Sequence, residues 1–189
     1  MARRTFSSAI GFDDFPFQRP HRGDVRIVGV VYTGPRLDGV ISGSVRRDGS
    51  NATVKLERLI LESRFAPQLG IVMLQGIALG GFNVIDIQDL NRRLRIPVLV
   101  VARRAPDLAA IKEALLSRVR GGARKWRLIE RAGIMEPVAG VYVQRAGLTL
   151  AEAGRVIERY ATCGRIPEPL RVAHLIAGGI GSGRSRGRA

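Results

Sequence analysis

The segment LGIVMLQGIALGGFNVIDIQDLNRRLRIPVLVVAR, residues 69–103, carries three hydropathy patterns in succession. It opens on a nearly all-apolar run, residues 69–74, and passes into a glycine-rich loop, residues 76–81. From Asn83 the period changes: Val84, Ile85, Ile87, Leu90 and Leu94 recur at helical spacing, with Asp86, Asp89, Arg92 and Arg93 on the opposite face. Pro97 then introduces a second apolar run, residues 98–101. This order predicts a strand, a crossover helix and a second strand, both strands buried on two faces as in a parallel sheet. Ligands of such sheets gather at the carboxyl ends of the strands, which singles out Gln75 and Gly76.

Upstream, residues 5–13 read as a strand ending in the acidic pair Asp13-Asp14. Phe15-Pro16-Phe17 and residues 19–23 form a loop, because the prolines deny a regular ladder. Residues 25–33 (VRIVGVVYT) are a strand, Gly34-Pro35 a turn, and residues 37–46 the hairpin partner. The first three strands are thus an antiparallel meander. Residues 48–51 (DGSN) end it and supply Ser50 or Asn51 as the N-cap of a helix burying Leu56, Leu59, Ile60 and Phe65.

Downstream, Pro106-Asp107 starts a helix through Val119, with Leu108, Ile111, Leu115 and Val119 turned inward. Residues 126–129 (WRLI) suggest a short strand and residues 139–143 (AGVYV) a clearer one. Thr149 and Glu152 match a capping box for a helix reaching about Thr162. Pro167-Glu168-Pro169 prevents its continuation, and residues 170–177 form a last short helix. We expect one domain over residues 1–180 and a basic Gly/Ser/Arg tail over residues 181–189. The element order fits an α/β fold with a ribonuclease H-like mixed sheet, although other mixed sheets share parts of it.

The chain has 189 residues, 46% of them hydrophobic, and a formal net charge of +15. Lys55, Lys112 and Lys125 are its only lysines, so the excess is arginine. Arginine binds phosphate bidentately and stacks on bases, which points to DNA or another nucleic acid as partner. Cys163 is the sole cysteine and permits no internal disulfide, consistent with a reducing, cytoplasmic setting. No apolar run is long enough to span a bilayer, and Arg3-Arg4 is not followed by a signal-like stretch.

With the first strand ascending and a parallel fourth strand beside it, one sheet rim collects Asp13, Asp14, Asp48, Asn51 and Gln75. Carboxylates from separate strands suit Mg²⁺ or Mn²⁺, and such an ion can activate water for phosphodiester hydrolysis. Asp13, Asp14 and Asp48 are therefore the candidate catalytic and metal-binding residues. Acids in turns are also common as plain turn formers. His21 and His174 are too few for a zinc site, and His174, among Val172, Leu175 and Ile176, reads as helix packing. The glycine loop, including Gly80, Gly81 and Asn83, suits close approach to a flipped nucleotide. Phe15 and Phe17 suit base stacking or serve as loop anchors; Arg165 and Arg171 suit phosphate contact.

Residues 138–171 resemble the C-terminal block of endonuclease V, with Ile166-Pro167-Glu168-Pro169-Leu170-Arg171 matching its proline-glutamate-proline segment. Residues 10–13 (IGFD) resemble that family's first strand. The whole chain looks closer still to a related archaeal family, endonuclease dU. That likeness is carried by Gly11-Phe12-Asp13-Asp14, Leu37-Asp38-Gly39-Val40, Ser63-Arg64-Phe65, residues 80–84 (GGFNV), residues 140–144 (GVYVQ) and residues 185–189 (SRGRA). The resemblance implies a ribonuclease H-like fold and a Mg²⁺-dependent endonuclease acting on DNA with a deaminated base, deoxyuridine, in repair. Against endonuclease V, Asp13 matches the first-strand aspartate, whereas the central-strand aspartate falls on Gln75. The helix-start glutamate falls on residues 51–54 and the histidine on residues 144–147, where neither type occurs. A protein that keeps the fold and binds nucleic acid without cutting it is the alternative.

Overall fold

The apolar runs of the sequence lie at the middle of a seven-stranded mixed sheet in a computed structural model that describes residues 5–18 and 20–185. The elements are β1 (Ser8–Asp14), β2 (Asp24–Thr33), β3 (Arg36–Arg46), α1 (Ala52–Leu61), β4 (Ile71–Gln75), β5 (Ala78–Leu79) and β6 (Asn83–Val84). They continue as α2 (Ile87–Leu94), β7 (Val98–Ala102), α3 (Leu108–Arg118), α4 (Gly122–Ala132), β8 (Glu136–Val138), β9 (Val141–Ala146), α5 (Leu150–Tyr160) and α6 (Glu168–Ser182). Strand order is β3-β2-β1-β4-β7-β9-β8, with β5 and β6 paired apart as a small antiparallel ribbon. The meander β1-β2-β3 is antiparallel, β4 lies parallel to β1 and β7 parallel to β4, and β9 runs against β7. This is the mixed sheet the sequence predicts.

Each face carries its own core, because alternate residues of a strand point to opposite sides. Ala9, Val28, Met73, Leu99 and Val143 pack under α5 and α6; Ile10, Phe12, Leu74, Val98 and Val100 pack under α1 and α2. α5 starts on a complete capping box, Thr149 accepting from the Glu152 amide while the Glu152 carboxylate accepts from the Thr149 amide. No helix among the described residues is long and apolar enough to cross a membrane.

Four local expectations are corrected. The crossover helix starts at Ile87, capped by Asp86, whereas Asn83-Val84 form β6. Residues 126–129 belong to α4, whose Lys125, Ile129 and Ala132 share its buried face. Of the four α3 residues predicted inward only Leu115 is buried, because α3 packs on α4 and the β5-β6 ribbon rather than on the seven-stranded sheet. The last helix begins at Glu168 and runs to Ser182, with Pro169 in its first turn, where a missing N–H costs nothing. Residues 186–189 of the expected tail lie outside the described residues.

Candidate active site

Asp13 and Asp14 are consecutive in a strand, so their side chains leave opposite faces of the sheet. Asp13 faces α6 and is 7% exposed. Its Oδ2 lies 2.8 Å from His174 Nδ1, and its Oδ1 accepts from the Asp14 amide at 2.9 Å. Burial raises its pKa, while the His174 hydrogen bond, the Asp14 amide and the charge of His174 oppose the rise. His174 is thus part of the site and not helix packing, correcting the sequence reading. It reaches Asp13 because α6 lies directly on β1: a Cβ at Gly11 would stand 2.4 Å from the Pro169 carbonyl carbon. The first turn of α6 is braced by Glu168, which accepts two hydrogen bonds from Arg171 at 2.8 and 2.7 Å.

Gln75 ends β4. Phe12 pairs with Leu74, so the next positions, Asp13 and Gln75, are neighbours on the same face. The Gln75 Oε1 is buried and without a hydrogen-bond partner among the described residues. A lone amide oxygen withheld from water costs free energy unless something is bound there. The Asp13–His174 pair, and Gln75 on the adjoining strand, thus lie on one face at the carboxyl rim of β1 and β4.

Asp14 and Asp48 do different work from that expected of them. Asp14 Oδ2 accepts from the Gly80 amide at 2.5 Å, the Asp48 amide donates to the Gly80 carbonyl at 2.9 Å, and Asp48 Oδ1 accepts from the Phe82 amide at 2.8 Å. Buried Lys125 donates to the Asp48 carbonyl, and Arg47 pairs with the Asp48 carboxylate at 3.2 Å. The two acids hold the glycine loop. Among the described residues no group of three or more His, Cys, Asp or Glu side chains is gathered as a metal site, so the expected Asp13-Asp14-Asp48 trio does not form. Burial raises Asp14 to about 6, aided by the Asp13 charge and opposed by the Gly80 hydrogen bond.

The nucleic-acid candidates divide similarly. Asn83 is wholly buried: its Oδ1 accepts from the Ala52 amide, and its Nδ2 donates to the Arg46 carbonyl and Asn51 Oδ1. It ties α1 to the loop and is closed to a nucleotide. Phe15 is a core residue, while Phe17 is 36% exposed beneath the Arg47 guanidinium. Gly80 and Gly81 have φ of 60° and 83°, and a Cβ on Gly81 would lie 2.5 Å from Asp48 Oδ1. Arg165 is exposed, and Arg171 is the partner of Glu168. Beside the loop lies an apolar pocket of about 250 Å³, lined by Gly76, Ile77, Gly81, Val84, Ala102 and Met135 among others. Sequence reasoning missed this pocket because Ala102, Ile129 and Met135 come to it from β7, from α4 and from the connection after α4.

Residues 6–181 match the family described as endonuclease dU. A UPF0215 protein of Deinococcus radiodurans is 62% identical over 182 residues, covering 96% of this chain and 93% of its own, so relatives are bacterial as well as archaeal. A crystal structure of a protein of unknown function from Archaeoglobus fulgidus is 35% identical with a TM-score of 0.85, covering 92% of this chain and 97% of its own. Endonuclease V of Ciona intestinalis, solved with an inosine-containing DNA, shares the fold at 12% identity and a TM-score of 0.56, covering 88% of this chain and 82% of its own. The chain belongs to the endonuclease dU family.

Proposed function

We propose, from this membership of the endonuclease dU family, that the chain is a divalent-metal-dependent endonuclease cutting DNA beside a deaminated base, deoxyuridine, in a repair role. The observation that carries the reading is the buried Asp13 carboxylate, hydrogen-bonded to His174, with the Gln75 oxygen, partnerless among the described residues, on the adjoining strand. Mg²⁺ takes oxygen ligands, retains several waters and completes its shell on substrate phosphates. One carboxylate and one amide oxygen fit an ion assembled together with the substrate, and Asp13 and Gln75 are the residues to hold it. When bound, such an ion neutralises charge on the phosphodiester and makes water easier to deprotonate. Ionised Asp13 accepts from the Nδ1–H of His174 and so leaves Nε2 free to move a proton at the scissile phosphate. The pocket of about 250 Å³ takes the flipped base, and its glycines admit the base close to the main chain.

The lack of a third acidic or histidine group around Asp13 among the described residues favours a second reading, a nucleic-acid-binding protein that does not cut. The two separate in an assay on oligonucleotides carrying uracil, hypoxanthine or normal bases, with Mg²⁺ or Mn²⁺. The nuclease nicks the uracil strand, and Asp13→Ala lowers the rate about 10²-fold or more without weakening binding. Binding by the wild type with no nick under either metal selects the second reading.

A further inference from the structure

A second concave surface, of about 560 Å³, opens between the end of β7, the turn before β9, the residues 163–166 segment and α6. Four arginines line it: Arg103, Arg104, Arg165 and Arg171. Arg171 is fixed by Glu168, whereas among the described residues Arg103, Arg104 and Arg165 make no ion pair. Like charges repel when brought together, so three uncompensated guanidinium groups around one cleft suit an anionic ligand with several charges. The walls are built rather than fluid. Glu168, a buried acid with its pKa lowered first by the Arg171 hydrogen bond, is also bonded by Thr162 and by the Cys163 amide. Gly140 lies under Arg165, where a Cβ would meet its Cδ at 3.2 Å, and a Cβ on Gly164 would meet nothing within 4 Å.

The cleft adjoins the candidate active site through both walls. Arg171 and Leu175 stand one helical turn before and one residue after His174. Arg103 follows β7, whose Val101 pairs with Gln75. A chain of phosphates leaving the Asp13 rim on the α6 side would enter it. The exposed Cys163, the only cysteine of the sequence, sits in its lining.

We infer that this arginine cleft binds the phosphodiester backbone of a single nucleic-acid strand continuing from the reacting phosphate. The inference deepens the proposed function, on which it rests, by naming how the substrate is held away from the chemistry. It is tested with full-length protein and a fluorescein-labelled oligothymidylate about 12 nucleotides long, within the range of single-strand-binding grooves. Binding is followed by anisotropy against salt, and Cys163 reactivity by alkylation with iodoacetamide and mass spectrometry. At saturating oligonucleotide, alkylation of Cys163 in the wild type is expected to be suppressed. The double variant Arg103→Gln/Arg104→Gln is expected to make the plot of log affinity against log salt shallower by about 1.4, since each single-strand phosphate left without its arginine takes about 0.7 from the slope. Arg118→Gln/Arg120→Gln, an equal loss of charge at the end of α3, should leave the slope unchanged. Unhindered alkylation in the bound state, or equal slope changes in both double variants, would overturn the cleft. Neither readout needs cleavage. A wild type that protects Cys163 and cuts nothing keeps the cleft and sinks the nuclease reading; one that cuts with Cys163 fully reactive does the reverse.

Discussion

Burial of Asp14 lifts its carboxyl from 3.8 to about 6, and that gives the folded protein a pH dependence of known sign. Between those values the folded state keeps a proton that the unfolded chain releases. Stability is fully present below pH 3.8 and falls as pH rises through about 6, by on the order of 3 kcal/mol for this one group. Asp14→Asn removes the titration, and the new amide oxygen still accepts from Gly80. Urea unfolding at pH 4 and pH 7 should therefore show the variant gaining about 2–3 kcal/mol on the wild type across that interval. Parallel profiles would mean that Asp14 ionises in the fold without penalty. At this scale the sequence placed Asp13 where the fold has it, next to last in β1 at the carboxyl rim of the sheet. It was misleading about Asp14 and Asp48, since adjacency along the chain says nothing of which face a side chain leaves. His174 was hidden among apolar neighbours. Its signal was Gly11, whose missing Cβ lets α6 approach the strand that carries Asp13.

The glycine loop is held from outside by two acids, and this makes it the element most sensitive to a single methyl group. Gly81→Ala places a Cβ 2.5 Å from Asp48 Oδ1 at a φ of 83°, where an L-residue costs about 1–2 kcal/mol on its own. We expect a loss of about 2 kcal/mol, seen as a fall in Tm of roughly 4–8 °C by calorimetry. In an Asp48→Ala background the same substitution should cost measurably less, because the clashing oxygen is gone; additive losses would refute the contact. The loop also explains why one helix boundary was illegible. Val84 and Ile85 match the helical period, yet Asn83 is taken up as a buried clip between α1 and the Arg46 carbonyl, and the chain stays extended until Asp86 caps α2. For residues 126–129, Trp and Ile favour a strand locally, but Lys125, Ile129 and Ala132 recur on one side and tertiary burial makes the segment helical. The long strands carried no such conflict and were read directly from their apolar runs.

Across the whole molecule the charge of +15 is unevenly compensated. Around α2 the arginines are spent on acids: Arg92 and Arg93 pair with Asp89, Arg93 with Glu57, and Arg131 with Asp86. On the α6 side Arg103, Arg104 and Arg165 have no such partners among the described residues, and Arg26 stacks over Phe15 with its guanidinium 4.4 Å from the ring. Net charge was legible in the composition; this asymmetry was not, because it depends on which acids the fold places beside which arginines. It fixes what a charge reversal should do. Adding a negative charge on the compensated side, as in Arg92→Glu, leaves Asp89 with Arg93 and should weaken affinity for undamaged duplex only slightly at about 100 mM salt, where charges more than a Debye length of about 10 Å away are largely screened. Arg104→Glu on the uncompensated side both frees a phosphate from its arginine and repels the backbone, so affinity should fall at least tenfold. The salt slope should become shallower by about 0.9 for each duplex phosphate that is no longer neutralised. Filter binding over a salt series measures both. Equal effects of the two reversals would mean that the protein is held by its diffuse net charge, and that no one face of it is the nucleic-acid face.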